Sequence, residues 1–159
     1  MKRQLFLFFI AFYTLGIFSQ VKDVSGLWKG FLTQPSNYGI TTKYPLWLTI
    51  VQKGDSLSGF EKIEGPDPSF YGILPIVGTI KNELLVYVNT NVKEESEASI
   101  KSGYRWYLRK VLISITVEKN ELKGKWQYPV KNPTDFGEII LTKQVFKYID
   151  PETGIAYFN

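Results

Sequence analysis

The chain has 159 residues, neither cysteine nor histidine, and a net charge of +4. Lacking histidine, it has no imidazole acid–base chemistry, no Ser–His or Cys–His nucleophile pair and none of the common zinc sites. Lacking cysteine, it has no disulfide framework and no lipid-anchored cysteine, so its stability must come from its own apolar core.

The first element in chain order is a leader. Lys2 and Arg3 precede an almost unbroken apolar run from Leu5 to Ile17, and Ser19 supplies a small residue before Gln20. This is the layout of a secretory signal peptide over residues 1–19. The run is short for a membrane span, which needs about 20 residues, and nothing polar interrupts it as an amphipathic helix requires. The chain is therefore expected to be secreted or periplasmic, meeting the membrane only through the cleaved leader. Roughly 140 residues then remain, enough for one domain. Loss of Lys2 and Arg3 lowers the net charge by two, and no nucleic-acid partner is implied.

Eight strand-like runs follow: Gly26–Gln34, Tyr44–Gln52, Ser56–Ile63, Tyr71–Ile80, Glu83–Asn91, Arg105–Glu118, Glu121–Tyr128 and Glu138–Gln144. Each shows period-two alternation and is rich in β-branched and aromatic residues. In the second, Leu46, Leu48 and Ile50 oppose Trp47, Thr49 and Val51. In the sixth, Val111, Ile113, Ile115 and Val117 share a face. In the seventh, Leu122, Gly124, Trp126 and Tyr128 do.

The connections alternate short and long. Lys53-Gly54-Asp55, Lys81-Asn82 and Lys119-Asn120 are tight, and Asn suits the positive φ of such turns. Lys81-Asn82-Glu83-Leu84 recurs as Lys119-Asn120-Glu121-Leu122, read as either convergent turn chemistry or the trace of a duplicated hairpin. Every other connection is longer. In a meander, successive connections fall at opposite ends of the sheet, so the tight turns form one end and the long loops the other. Closure removes the two exposed edges. The expected fold is all-β, an antiparallel up-and-down eight-stranded barrel over residues 20–144, with residues 145–159 as a C-terminal extension. Pro75, inside the fourth run, predicts a bulge or bend. A two-sheet sandwich fits the regular hairpin spacing less well.

Gly26-Leu27-Trp28 resembles the Gly-x-Trp element that opens the barrel in lipocalins and, more loosely, in avidin-like proteins. The resemblance, which extends over the architecture of Gly26 to Gln144, implies that Trp28 plugs the tight-turn end while Gly26 lets the chain cross it. In lipocalins a basic residue near the end of the last strand packs over that Trp, and Lys143 or Lys147 stands in that place. Thr134-Asp135-Phe136 is similar to a lipocalin Thr-Asp-Tyr motif, but precedes the eighth strand rather than the seventh. The resemblance further implies an extracytoplasmic, calycin-like binder of a small hydrophobic molecule.

Candidate ligand-binding residues lie where strands meet long loops: Tyr38, Tyr44, Trp47, Phe70, Tyr71, Tyr104 and Trp106. Each ring offers apolar area, and Tyr and Trp add a hydrogen-bonding handle. The plainer reading of any one of them is packing. Trp28 and Trp126 belong to the core, with Gly26 structural. Arg105 and Arg109 share a face of the sixth run. Pointing inward they would hold a carboxylate or phosphate. Pointing outward they form a solvated stripe, which the cost of unpaired buried charge favours.

Asn89 to Gly103 reads as a solvated loop, with a helical turn or lid as the alternative. Glu61, Glu64 and Asp67 offer an unspecific carboxylate pairing, and Gly65-Pro66-Asp67-Pro68 a rim turn. The expected protein is a monomeric, non-enzymatic barrel without cofactor or metal. It holds a small, partly hydrophobic ligand at the long-loop end. The alternatives are a protein- or carbohydrate-interaction module with a filled interior, or an eight-stranded outer-membrane barrel.

Overall fold

The computed structural model describes residues 23–35, 39–116, 120–127, 136–149 and 156–158. The expected leader, Tyr38 and most of Thr134-Asp135-Phe136 lie outside the described residues. The strands are β1 (Gly26–Pro35), β2 (Thr41–Lys53), β3 (Ser56–Glu64), β4 (Tyr71–Lys81), β5 (Leu84–Asn89), β6 (Glu94–Glu95), β7 (Lys110–Thr116), β8 (Glu121–Gln127) and β9 (Phe136–Lys143). A short helix, α1 (Glu97–Ser102), follows β6. β10 (Phe146–Ile149) and β11 (Ala156–Phe158) pair as a separate hairpin.

Eight strands form a closed antiparallel barrel in the order β1-β2-β3-β4-β5-β7-β8-β9, and β9 returns to β1 from Trp28↔Lys143 to Leu32↔Ile139. β6 lies outside this ring. The eight predicted runs correspond to these eight strands with shifted ends. The largest difference is the sixth, whose ladder begins only at Lys110. Arg105 therefore lies outside any strand, and the shared face expected for Arg105 and Arg109 does not exist.

Turn chemistry places the ends as the sequence suggests. Asn82 and Glu83 adopt φ of 49° and 62°, and Asn120 adopts 49°. Two successive left-handed residues are what a tight hairpin turn with matching strand twist requires. These turns and Gly54-Asp55 sit at one end, and the long connections at the other.

Pro75 interrupts a ladder as expected. β3 pairs through it without a break, Phe60↔Pro75 included. On the opposite edge, β4 passes from Ile76↔Asn89 to Ile73↔Glu94, so Thr90–Lys93 oppose only Leu74 and Pro75. The Pro75 carbonyl accepts from Thr90 N at 3.0 Å. A residue's N and O face the same side in an extended strand, so the missing N–H falls at the bulge. β6 is thus the continuation of β5 beyond that bulge.

The inward faces make one apolar core: Trp28 and Leu32 from β1, Leu46, Leu48 and Ile50 from β2, Leu74, Ile76 and Ile80 from β4, with matching residues from the other ring strands. Leu46, Leu48, Leu74, Leu85, Ile113, Leu122, Ile139 and Leu141 have no exposed surface. A side chain without exposed surface leaves no water-sized gap beside it, so the interior along these residues is filled.

The tight-turn end is closed by Trp28. Its Nε1 donates to Val24 O at 2.9 Å, and Lys143 Nζ lies 5.5 Å from the ring centroid. The basic residue expected over Trp28 is therefore Lys143.

Candidate functional site

At the long-loop end the interior turns polar. Glu61 from β3 is fully buried and Arg109, just before β7, is 7 % exposed. They form an ion pair through Arg109 Nη2 and Glu61 Oε1. The other carboxylate oxygen accepts from Tyr87 Oη at 2.8 Å and from Asn89 Nδ2 at 3.3 Å. Asn89 Oδ1 in turn accepts from Arg109 N at 3.1 Å. The guanidinium faces the Trp126 ring at 5.8 Å, and Trp126 Nε1 donates to Thr33 O at 2.9 Å. Burial, and then the Glu61 charge, push the Tyr87 phenol well above its ordinary range.

The outward orientation that charge burial favours is thus corrected for Arg109. Its cost is met by a carboxylate 48 residues away in sequence, which also absorbs the positive charge. Arg105 is exposed and does not join it.

Above this layer sits an aromatic group. Trp106 lies directly over Gly72, where an added Cβ would come within 2.7 Å of the indole. The Tyr104 ring packs tilted at 55° against Trp106 and Phe70, with centroids 4.9 and 5.8 Å away. Tyr44, Val92 and Trp106 pack against the core from this side. Burial, with Tyr44 contributing next, raises the Tyr104 phenol. Four of the predicted rim residues, Tyr44, Phe70, Tyr104 and Trp106, are therefore brought together, and they stop the mouth. Two buried donors there, Trp106 Nε1 and Arg109 Nε, have no hydrogen-bond partner among the described residues.

The stopper hangs from the long connection. Helix α1 is capped by Ser96, whose Oγ accepts from Ser99 N at 3.1 Å and from Tyr71 N at 3.2 Å. Gly103 ends it at φ 71°. What reads as a solvated loop is therefore a strand continuation and a capped helical turn, anchored to the start of β4.

Trp47 and Tyr71 are separate from the mouth. They face outward, with Lys62 Nζ 5.1 Å from each ring centroid. Here the outer wall carries a groove of about 590 Å³ lined by Trp47, Thr49, Phe60, Lys62, Ile73, Lys93 and Glu94. That size is typical of ligand sites. Register explains the assembly, since Lys29↔Trp47, Trp47↔Lys62, Lys62↔Ile73 and Ile73↔Glu94 form one row across β1, β2, β3, β4 and β6. β6 and Lys93, supplied by the long connection, wall one side.

Lys93 Nζ stands 4.5 Å from the Phe60 centroid, and Lys29 Nζ 5.3 Å from that of Trp47. Glu64 pairs with Lys62 at 3.0 Å. Glu94 accepts from Tyr71 Oη at 3.1 Å, which raises the phenol. The Ser69 hydrogen bonds hold Asp67 below the usual carboxylate range. Glu61, Glu64 and Asp67 thus each serve a different partner, and the carboxylate pairing considered for them does not form. Among the described residues no cluster of His, Cys, Asp or Glu could hold a metal ion.

Comparison with protein-family models, with curated proteins and with solved structures finds no match to this chain.

Proposed function

We propose that this protein is a non-enzymatic binding module of lipocalin-like architecture that takes its ligand on the outer wall, in the groove floored by Trp47 and Phe60. The observation that carries this reading is the contrast between the two surfaces. The barrel interior is filled, whereas the groove leaves aromatic rings open beneath lysines; Phe60 is 42 % exposed. Large apolar groups exposed together mark contact surfaces. The Trp28–Lys143 stack supports the lipocalin-like part of the reading, and the N-terminal Lys-Arg-apolar pattern supports export to the periplasm or beyond.

The apolar interior argues against an outer-membrane barrel, where the polar face points inward. So does the exposure of Lys123 and Lys125 on the outer wall of β8. One observation favours a second reading, in which a small ligand enters the mouth: Trp106 Nε1 and Arg109 Nε, the two donors without a partner among the described residues.

An NMR fragment screen on the ¹⁵N-labelled protein distinguishes the two. Shifts centred on Trp47, Phe60 and Lys62 support the outer wall. Shifts confined to Tyr104, Trp106 and Arg109 transfer the function to the mouth, and native mass spectra of gently purified protein would then carry excess mass lost on denaturation.

A further inference from the structure

The groove is one end of a longer lane. Two residues along each strand from the Lys29–Trp47–Lys62–Ile73–Glu94 row, register aligns Thr49, Phe60 and Pro75. Two residues further it aligns Val51, Ser58, Val77 and Val88. Val51, Phe60, Val77 and Val88 are 59, 42, 49 and 38 % exposed. Consecutive rows lie roughly 7 Å apart along a strand pair. The outer wall of β2–β5 therefore grades from cationic and aromatic near the long loops to aliphatic near the tight turns.

Two features of this surface constrain its occupant. The first is charge. Lys29 and Lys93 have no carboxylate within salt-bridge distance among the described residues, and each ammonium is parked over a ring. Glu64 is taken up by Lys62, and Glu94, at the end of the row, accepts a bond from the neutral Tyr71 hydroxyl and keeps its charge, so Lys29 and Lys93 outnumber it. Open charge in the row is thus positive. The second is shape. Away from the groove the lane runs over the outside of a barrel, which curves away from a ligand and cannot wrap a lone acyl chain. Covering Val51, Val77 and Val88 requires an occupant that brings a surface of its own.

Resting on the outer-wall reading above, we infer that the lane docks an extended acidic–aliphatic segment of a partner protein, its carboxylates meeting Lys29 and Lys93 and its aliphatic side chains covering Phe60, Val77 and Val88. An extended chain turns every second side chain to the surface beneath it, so a segment with acids in its first half and aliphatic groups in its second matches rows graded along the strands. The lysines would supply orientation and encounter rate, and the apolar rows the residence time.

The test uses the full chain, ¹⁵N-labelled, and synthetic peptides of about eight residues, long enough to span three rows. Each joins a block of four residues to a block of four valines, the first block being glutamate in one peptide, lysine in a second and serine in a third. The inference expects saturable amide shifts at Trp47, Phe60, Lys62 and Val77 with the glutamate peptide, at least about tenfold tighter than with the lysine peptide, and weakening as salt rises. Lys29 and Lys93 are exposed, so the double variant Lys29→Glu/Lys93→Glu should fold normally and weaken binding of the glutamate peptide by about five- to tenfold. Phe60→Ser should weaken all peptides alike.

Equal response to the glutamate, lysine and serine peptides would overturn the acidic-partner inference and leave the outer-wall reading standing. Silence at the groove with every peptide and with the fragment screen would remove both. Phosphatidylcholine vesicles containing phosphatidylglycerol are the control for a lipid surface: sedimentation with them, without a groove response to peptide, would assign the lane to a membrane and overturn the inference.

Discussion

At the residue scale, the Glu61–Arg109 pair stands out because both of its charges are buried. A buried ion pair need not add net stability, yet removing one partner strands the other charge away from water. Glu61→Ala should therefore destabilise the barrel by about 3–5 kcal/mol in urea unfolding, whereas Glu61→Leu with Arg109→Met should recover most of the loss. If the single and double variants were equally unstable, the layer would be contributing shape and not compensated charge.

Tyr87 adds a pH dependence. Its phenol is raised in the fold, so the unfolded chain surrenders that proton first. The stabilisation is fully present below the unfolded value of about 10 and is lost as pH climbs from there towards the folded value. Tyr104 and Tyr71 are shifted the same way. Stability should thus decline above about pH 10, and Tyr87→Phe should flatten that decline while costing about 1–3 kcal/mol at neutral pH through the lost bond to Glu61. An unchanged alkaline slope in this variant would show that Tyr87 does not govern it.

At the element scale, the stopper depends on Gly72. An alanine there would push against the Trp106 ring, and ring and strand would have to separate. Overpacking of this kind costs about 1–3 kcal/mol. Gly72→Ala should also change tryptophan fluorescence as Trp106 moves into water; an unaltered spectrum with full stability would show that the ring can shift without consequence.

This is also the scale at which the sequence was and was not readable. Alternation and turn residues located all eight ring strands and the end at which each turn lies, because both are local properties. The inward turn of Arg109 was not readable, since its compensating carboxylate, Glu61, belongs to another strand. Nor was the outer groove, whose row exists only once five strands are in register. A trace of it was present: the second and fourth runs carry large apolar residues on both faces, Trp47 and Val51 opposite Leu46 and Leu48, and Ile73 and Val77 opposite Leu74 and Ile76. In a strand with one solvated face, such residues on the wet side mark a surface awaiting contact. Tyr44, Phe70, Tyr104 and Trp106 did converge at the long-loop end, but as packing, because the connection that supplies Trp106 folds back over Gly72.

On the scale of the whole molecule, closure is the decisive feature. Each ring strand has a partner on both sides, so β9 cannot be removed without exposing two edges, those of β1 and β8. A chain ending before Phe136 should fail to give a monomer and should aggregate on size-exclusion chromatography. A well-folded monomer from it would mean that β1 and β8 can meet directly.

The seam between β1 and β9 also sets an order of events. Trp28 cannot meet Lys143 until the first and the last strand of the ring both exist. A ribosome delivering this chain releases its first strand long before its last, and throughout that interval the ring stays open. A ring that completes itself only with its final strand stays threadable until that strand is present.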